Sequence, residues 1–315
     1  MRIALTFLTM LAGPALAQQT PAPAAPQAAQ ARDISPDSRG LGPYPAIKEV
    51  DPSLPGHVVY RPADLAALGA RKLGVVAWGN GACAADGTGA RHHLAQLASY
   101  GYVVIAPGTI RSGPGAPPSV PRPPRAPDAK LPPVETTAAD VRAGIDWALA
   151  ENARGGSPYH GRIDPRLVAV GGHSCGGLQA LQLAGDPRVR AVMINNSGVF
   201  PDGANPIPGI GIDKSILRTL HTPVIYILGG PSDIAYPNGT DDVRRIAHVP
   251  VFLANRDVGH GGTFGEPNGG AVGVVAAAWL EWQLRGDAAA AKSFTGADCA
   301  LCRDPAWKVE RKRID

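Results

Sequence analysis

From residue 57 onward the chain repeats one rhythm: a short apolar run, a turn carrying glycine, then a stretch whose apolar positions recur at helical spacing. The apolar runs are HVVY (57–60), LGVVAW (73–78), YVVIAP (102–107), LVAVGG (167–172), VRAVMIN (189–195), PVIYILG (223–229) and VPVFLAN (249–255). Most are apolar at every position instead of alternating, the pattern of strands covered on both faces of a parallel sheet. Between them, Leu94, Leu97 and Ala98 form a helical stripe behind Thr88 as candidate cap. Val141, Ile145 and Leu149 form another behind Thr136 or Thr137, and Val272, Val275, Ala276, Trp279 and Leu280 a third that ends at Gly286. Strands alternating with helices predict an α/β fold, with a mostly parallel central sheet of about eight strands flanked by helices.

Two segments break this rhythm. At the start, MRIALTFLTMLAGPALA places one arginine before an apolar run and finishes on Ala15-Leu16-Ala17, so residues 1–17 read as a secretory signal peptide cleaved after Ala17. Residues 18–32, built of Pro, Ala and Gln, hold little to bury and read as a disordered leader. Residues 108–134 are too rich in proline for a helix or a central strand and read as a long surface loop, kept solvated by Arg111, Arg122, Arg125 and Lys130. The rest, 33–315, reads as a single domain ending in a tail, 287–315, that packs over the helices.

Charge and composition narrow the partners. With 44% hydrophobic residues and a formal net charge of +4, the chain can bury a large core and shows no basic stripe for nucleic acid. No apolar segment reaches the length of a membrane span, so no stable membrane anchor is expected and the mature protein is expected in the periplasm or outside the cell.

The run LVAVGG leads into Gly172-His173-Ser174-Cys175-Gly176, followed by LQALQLA with helical character. A G-x-S-x-G between strand and helix is the pattern of a nucleophile elbow. The serine sits on a turn so tight that side chains two residues away on either side would collide. A serine hydroxyl needs a histidine base, and the base needs a carboxylate to orient it. In elbow-type folds the acid and then the histidine follow the serine, each beyond the carboxyl end of a strand. Asp233 follows PVIYILG and His260 follows VPVFLAN. His57, His92, His93, His160, His221 and His248 fall before strands or within helices, and His173 is held in the elbow pointing away from the hydroxyl. Asp257 competes for the acid role, but it shares the histidine's own loop, so Asp233 is preferred.

The ordered segments GNGAC, GHSCGG, GGPSDIAY and GHGGTF, with ASYGYVVIAP after the first helix, resemble the α/β-hydrolase superfamily. The likeness spans roughly residues 57–285 and is nearest to secreted esterases related to cutinases, polyester hydrolases and dienelactone-hydrolase-like proteins. Two positions depart from the cutinase-like pattern: Cys175 stands where those relatives carry methionine, and Asp233-Ile234-Ala235-Tyr236 replaces their D-x-A-P. The resemblance implies an α/β-hydrolase fold and an oxyanion hole formed by the N–H of Cys175 with that of Ala82 or Cys83. Trp78, Asn80 and His173 are candidate substrate contacts, with Asp86 on the same loop as Asn80.

Four cysteines in an exported chain allow three pairings. The two oxyanion loops that the resemblance implies face each other, which favours Cys83–Cys175 and leaves Cys299–Cys302 to close CALC. A zinc site lacks a second ligand pair, and no cofactor or metal is required.

The expected activity is cleavage of a carboxylic ester, small or polymer-linked, through an acyl-enzyme on Ser174. A peptidase, lipase or thioesterase using the same triad is the nearest alternative, and a non-catalytic binding protein on the same fold the more distant one.

Overall fold

All seven apolar runs form strands. The computed structural model describes residues 35–118 and 131–315, which belong to one unit of the chain, Arg32–Asp315. The expected signal peptide and leader, and residues 119–130 of the proline-rich loop, which include Arg122, Arg125 and Lys130, lie outside the described residues.

The elements in chain order are β1 (Ala46–Glu49), β2 (His57–Pro62), β3 (Leu73–Gly79), α1 (Arg91–Ala98), β4 (Tyr102–Pro107), α2 (Ala138–Ala153), β5 (Ile163–His173) and α3 (Cys175–Leu183). They continue with β6 (Ala191–Asn195), β7 (Val224–Leu228), α4 (Tyr236–Arg245), β8 (Val251–Asn255), α5 (Gly270–Arg285), the short turns α6 (Ala288–Ala291) and α7 (Ala300–Arg303), and β9 (Lys308–Lys312). Among the described residues the strands form one nine-stranded sheet in the order β1-β2-β4-β3-β5-β6-β7-β8-β9. From β4 to β8 every pairing is parallel; β1, β2 and β9 join antiparallel at the two ends.

Successive strand residues face opposite sides, so fully apolar strands feed two cores. Val75, Val103, Val170 and Val192 meet Val141 and Ile145 of α2 and Leu178 and Leu181 of α3 on one face. Val76, Trp78, Val104 and Met193 meet Leu94 and Leu97 of α1 and Val272, Trp279 and Leu280 of α5 on the other. The helix ends follow local chemistry. Thr137 caps α2 in a reciprocal box with Asp140, and Gly286 closes α5 in the left-handed conformation. Thr88 does not cap α1. Its hydroxyl donates to Asp86 (2.7 Å) and accepts the N–H groups of Arg111 and Ser112, so it braces the neighbouring turn. Arg111, in the described part of the proline-rich loop, pairs with Glu135 at 2.8 Å.

The tail departs from expectation. Its last segment does not merely lie over helices; β9 extends the sheet beside β8, and the Lys312 ammonium donates to the carbonyls of Val243, Arg244 and Ile246 at the end of α4. Further back, Phe294 packs on Trp279, Trp282 and Phe252, and a Cys299–Cys302 disulfide staples the next turn. Among the described residues no helix is long and apolar enough to cross a membrane.

Candidate active site

At the end of β5 the chain turns sharply into α3, and Ser174 occupies the turn with φ 54° and ψ −124°. A non-glycine residue there is strained and persists only because its surroundings hold it. The Ser174 N–H donates to Asn195 (3.0 Å), and its carbonyl accepts from the Ser197 hydroxyl (2.6 Å) and the Gly177 N–H (2.9 Å). The flanking glycines answer to space. A Cβ on Gly172 would stand 2.1 Å from the Gly176 carbonyl oxygen, one on Gly176 2.0 Å from the backbone of Gly79, and one on Gly177 2.5 Å from Ser197. Three backbone segments therefore meet around the serine at distances no side chain permits.

The loops after β7 and β8 bring the expected partners to it. His260 Nε2 lies 2.8 Å from Ser174 Oγ, and His260 Nδ1 lies 2.6 Å from Asp233 Oδ1. Asp233 is buried, and burial alone would raise its carboxyl. Hydrogen bonds from His260 and from the N–H groups of Ala235 and Gly229 outweigh that and hold it below the usual carboxylate range. The rival Asp257 instead accepts from the Ser232 hydroxyl at 3.1 Å.

The turn after β3 lies against the elbow, joined to it by a Cys83–Cys175 disulfide across a Cα–Cα distance of 5.3 Å. With Cys299–Cys302, this is the pairing expected from the oxyanion loops, and no described cysteine is free. Ala82 (φ 55°) and Cys83 (φ 48°) are both left-handed, and the Cys83 carbonyl anchors them by accepting the N–H groups of Glu135 and Thr136 and the Thr136 hydroxyl. Of the two donors expected in this turn, Cys83 is corrected: its N–H is committed to the Asn80 carbonyl at 3.1 Å, which leaves Ala82.

Of the candidate substrate contacts, Trp78 and Asn80 need correction. Trp78 has no exposed surface, because the residue after Ala77 on the strand faces the core under α1 and α5. Asn80 is buried with its amide donating to the carbonyls of Ala84 and Pro107, so it shapes the turn. Asp86 is occupied in the same way by Thr88. His173 keeps partial exposure, but its Nε2–H donates to the His260 carbonyl at 2.8 Å and its ring packs on Phe264. Burial depresses its imidazole to about 4. Behind it, His93 is enclosed between Trp78 and Phe264, and burial takes it down to about 3.

Asn196 also belongs to the site, at a position that no motif in the sequence marks. It follows β6 with φ 45°, and its side-chain amide donates to Asp233 Oδ2 (2.9 Å) and to the Gly259 carbonyl (3.0 Å). The only trace in the sequence is the type of residue, since asparagine is among the few that adopt the left-handed region readily.

No group of three or more His, Cys, Asp or Glu side chains among the described residues is arranged to hold a metal ion. The chain matches no model of a known protein family and no curated protein sequence.

Proposed function

We propose that this protein is an exported serine hydrolase of the α/β-hydrolase fold that cleaves carboxylic esters through an acyl-enzyme on Ser174. The observation that carries the proposal is the unbroken chain Ser174 Oγ, His260 Nε2, His260 Nδ1, Asp233 Oδ1, with links of 2.8 and 2.6 Å, set on a strained elbow at the start of a helix. Serine after β5, acid after β7 and histidine after β8 follow the order of elbow-type hydrolases. Two disulfides accord with an oxidising compartment.

Each residue has a defined task. His260, oriented by Asp233, accepts the Ser174 proton as Oγ attacks the ester carbonyl. The developing oxyanion is received by the first N–H of α3, at Cys175, with the N–H of Ala82 as second donor. The helix N-terminus adds its partial positive charge. The disulfide keeps both donors in one relation, so they need not reorganise during reaction. His260 then protonates the departing alcohol. Water enters, loses a proton to His260 as it attacks the acyl carbonyl, and Ser174 leaves with the proton returned, freeing the acid.

Hydrolysis of a p-nitrophenyl ester series, from acetate to decanoate, by the mature protein and by Ser174→Ala tests the proposal. Turnover lost in the variant supports it, and the chain length giving the highest rate sizes the acyl pocket. An inactive wild type with its fold intact rejects it.

A further inference from the structure

We infer that Asn196 is a positioning residue whose single amide nitrogen fixes the acid loop and the base loop relative to each other. The inference rests on the proposed triad. Both hydrogens of Nδ2 are used across the loops: one bonds Asp233 Oδ2 at 2.9 Å, the other the carbonyl of Gly259, the residue before His260, at 3.0 Å. The Asn196 N–H donates to the Ile227 carbonyl at 2.8 Å, so the amide is mounted on the β6–β7 pair and not on a free loop.

The acid is divided between two tasks. Asp233 Oδ1 receives His260 Nδ1 and the Ala235 N–H, while Oδ2 receives Asn196 and the Gly229 N–H. With Oδ2 held by two donors, the carboxylate cannot rotate about its Cβ–Cγ bond without breaking them, and Oδ1 stays aimed at the imidazole. The same amide holds the Gly259 carbonyl, while the N–H groups of Val258 and Gly259 donate to the Gly229 carbonyl at 3.1 and 2.8 Å, so Asn196 adds a side-chain tie on the catalytic side of a backbone contact between the two loops.

The surrounding backbone is cut to admit this side chain. A Cβ on Gly229 would lie 2.0 Å from the Gly259 carbonyl oxygen and 2.6 Å from Asn196 Nδ2, and one on Gly262 would lie 3.0 Å from both Asn196 Oδ1 and the Phe264 ring. One glycine from the acid loop and one from the base loop therefore leave room for the amide between them. Asn196 is only 1% exposed, so it acts through Asp233 and His260 and does not meet substrate.

Asn196→Gly tests this cleanly, because glycine accepts φ 45° and only the amide is lost. Three readings are taken on wild type and variant: the melting temperature, kcat and KM for p-nitrophenyl acetate, and the far-downfield proton resonance of the His260–Asp233 hydrogen bond. The expected result is a folded variant with kcat lowered about ten- to a hundredfold, KM within about twofold, and the resonance shifted or lost. A variant with kcat within about twofold of wild type and an unmoved resonance overturns the inference. If the glycine variant fails to fold, Asn196→Ser, whose short hydroxyl cannot bond both loops at once, is read by the same criteria. Should the wild type turn over no ester, the proposed function fails, and the proton resonance alone decides the role of Asn196.

Discussion

The Nε2–H of His173 donates to the main-chain carbonyl of His260 at 2.8 Å, so the residue before the proposed nucleophile holds the residue that carries the proposed base. The bond joins the end of β5 to the loop after β8, and the depressed imidazole leaves His173 neutral, with Nε2 as the protonated nitrogen. Replacement by alanine is expected to lower kcat on p-nitrophenyl acetate about tenfold with a smaller change in KM, because the histidine loop loses a tether and not a substrate contact. A change confined to KM would instead return His173 to the role of substrate contact.

Stability should fall as the medium becomes acidic. In the unfolded chain both His93 and His173 take up a proton near 6.5, whereas in the folded chain burial holds them at about 3 and about 4. Between those values the unfolded state binds more protons, so their contribution is complete above 6.5 and is lost as the pH drops, by up to about 1.4 kcal/mol per pH unit for each. Asp242 acts the other way between about 6 and 3.8, since burial raises it in the folded chain. A difference measurement isolates the histidine: His93→Leu should show a smaller loss of melting temperature between pH 7 and pH 5 than the wild type. Equal losses would show that His93 does not carry the effect.

The two disulfides should differ in weight. Cys83–Cys175 closes a separation of 92 residues and Cys299–Cys302 a separation of 3. Chain-entropy reasoning gives losses of about 4–5 and about 2 kcal/mol on removal. Paired serine replacements followed by urea unfolding check the order. Removal of the first bridge is also expected to lower kcat, since Ala82 and Cys175 are no longer coupled. Loss of stability without loss of activity would mean that the bridge only supports the fold.

Lys214 reaches Asp242 at 2.6 Å and Asp241 at 2.9 Å, fastening the segment before β7 onto α4. Asp242 is fully buried, and its other oxygen accepts the Val199 N–H. Lys214→Met strands that carboxylate and should cost about 3–5 kcal/mol of stability at neutral pH. Adding Asp242→Asn should restore part of the loss. Urea unfolding of the single and double variants measures both.

Much of this arrangement is legible in the residues, for reasons that differ by element. The seven inner strands announce themselves because both their faces are covered. AIKE of β1 and KVERK of β9 do not, because an end strand pairs through its backbone while its side chains stay polar. Ser174, Asp233 and His260 are legible because elbow glycines and strand ends fix where they must stand. Trp78 and Asn80 mislead because nearness to a turn does not say which way a side chain faces; the period of two along β3 sends Trp78 into the core. Asn196 shows in the sequence only as a residue type that tolerates left-handed backbone, since its task depends on two loops that meet only in the folded chain.

Whether Ser174 is an activated nucleophile is decided by mass-spectrometric mapping of the folded protein after exposure to a fluorophosphonate. The expected result is one adduct per chain on the peptide containing Ser174, absent in Ser174→Ala and formed far more slowly in His260→Ala. A folded protein that takes up no label, or one labelled equally fast without His260, would contradict it.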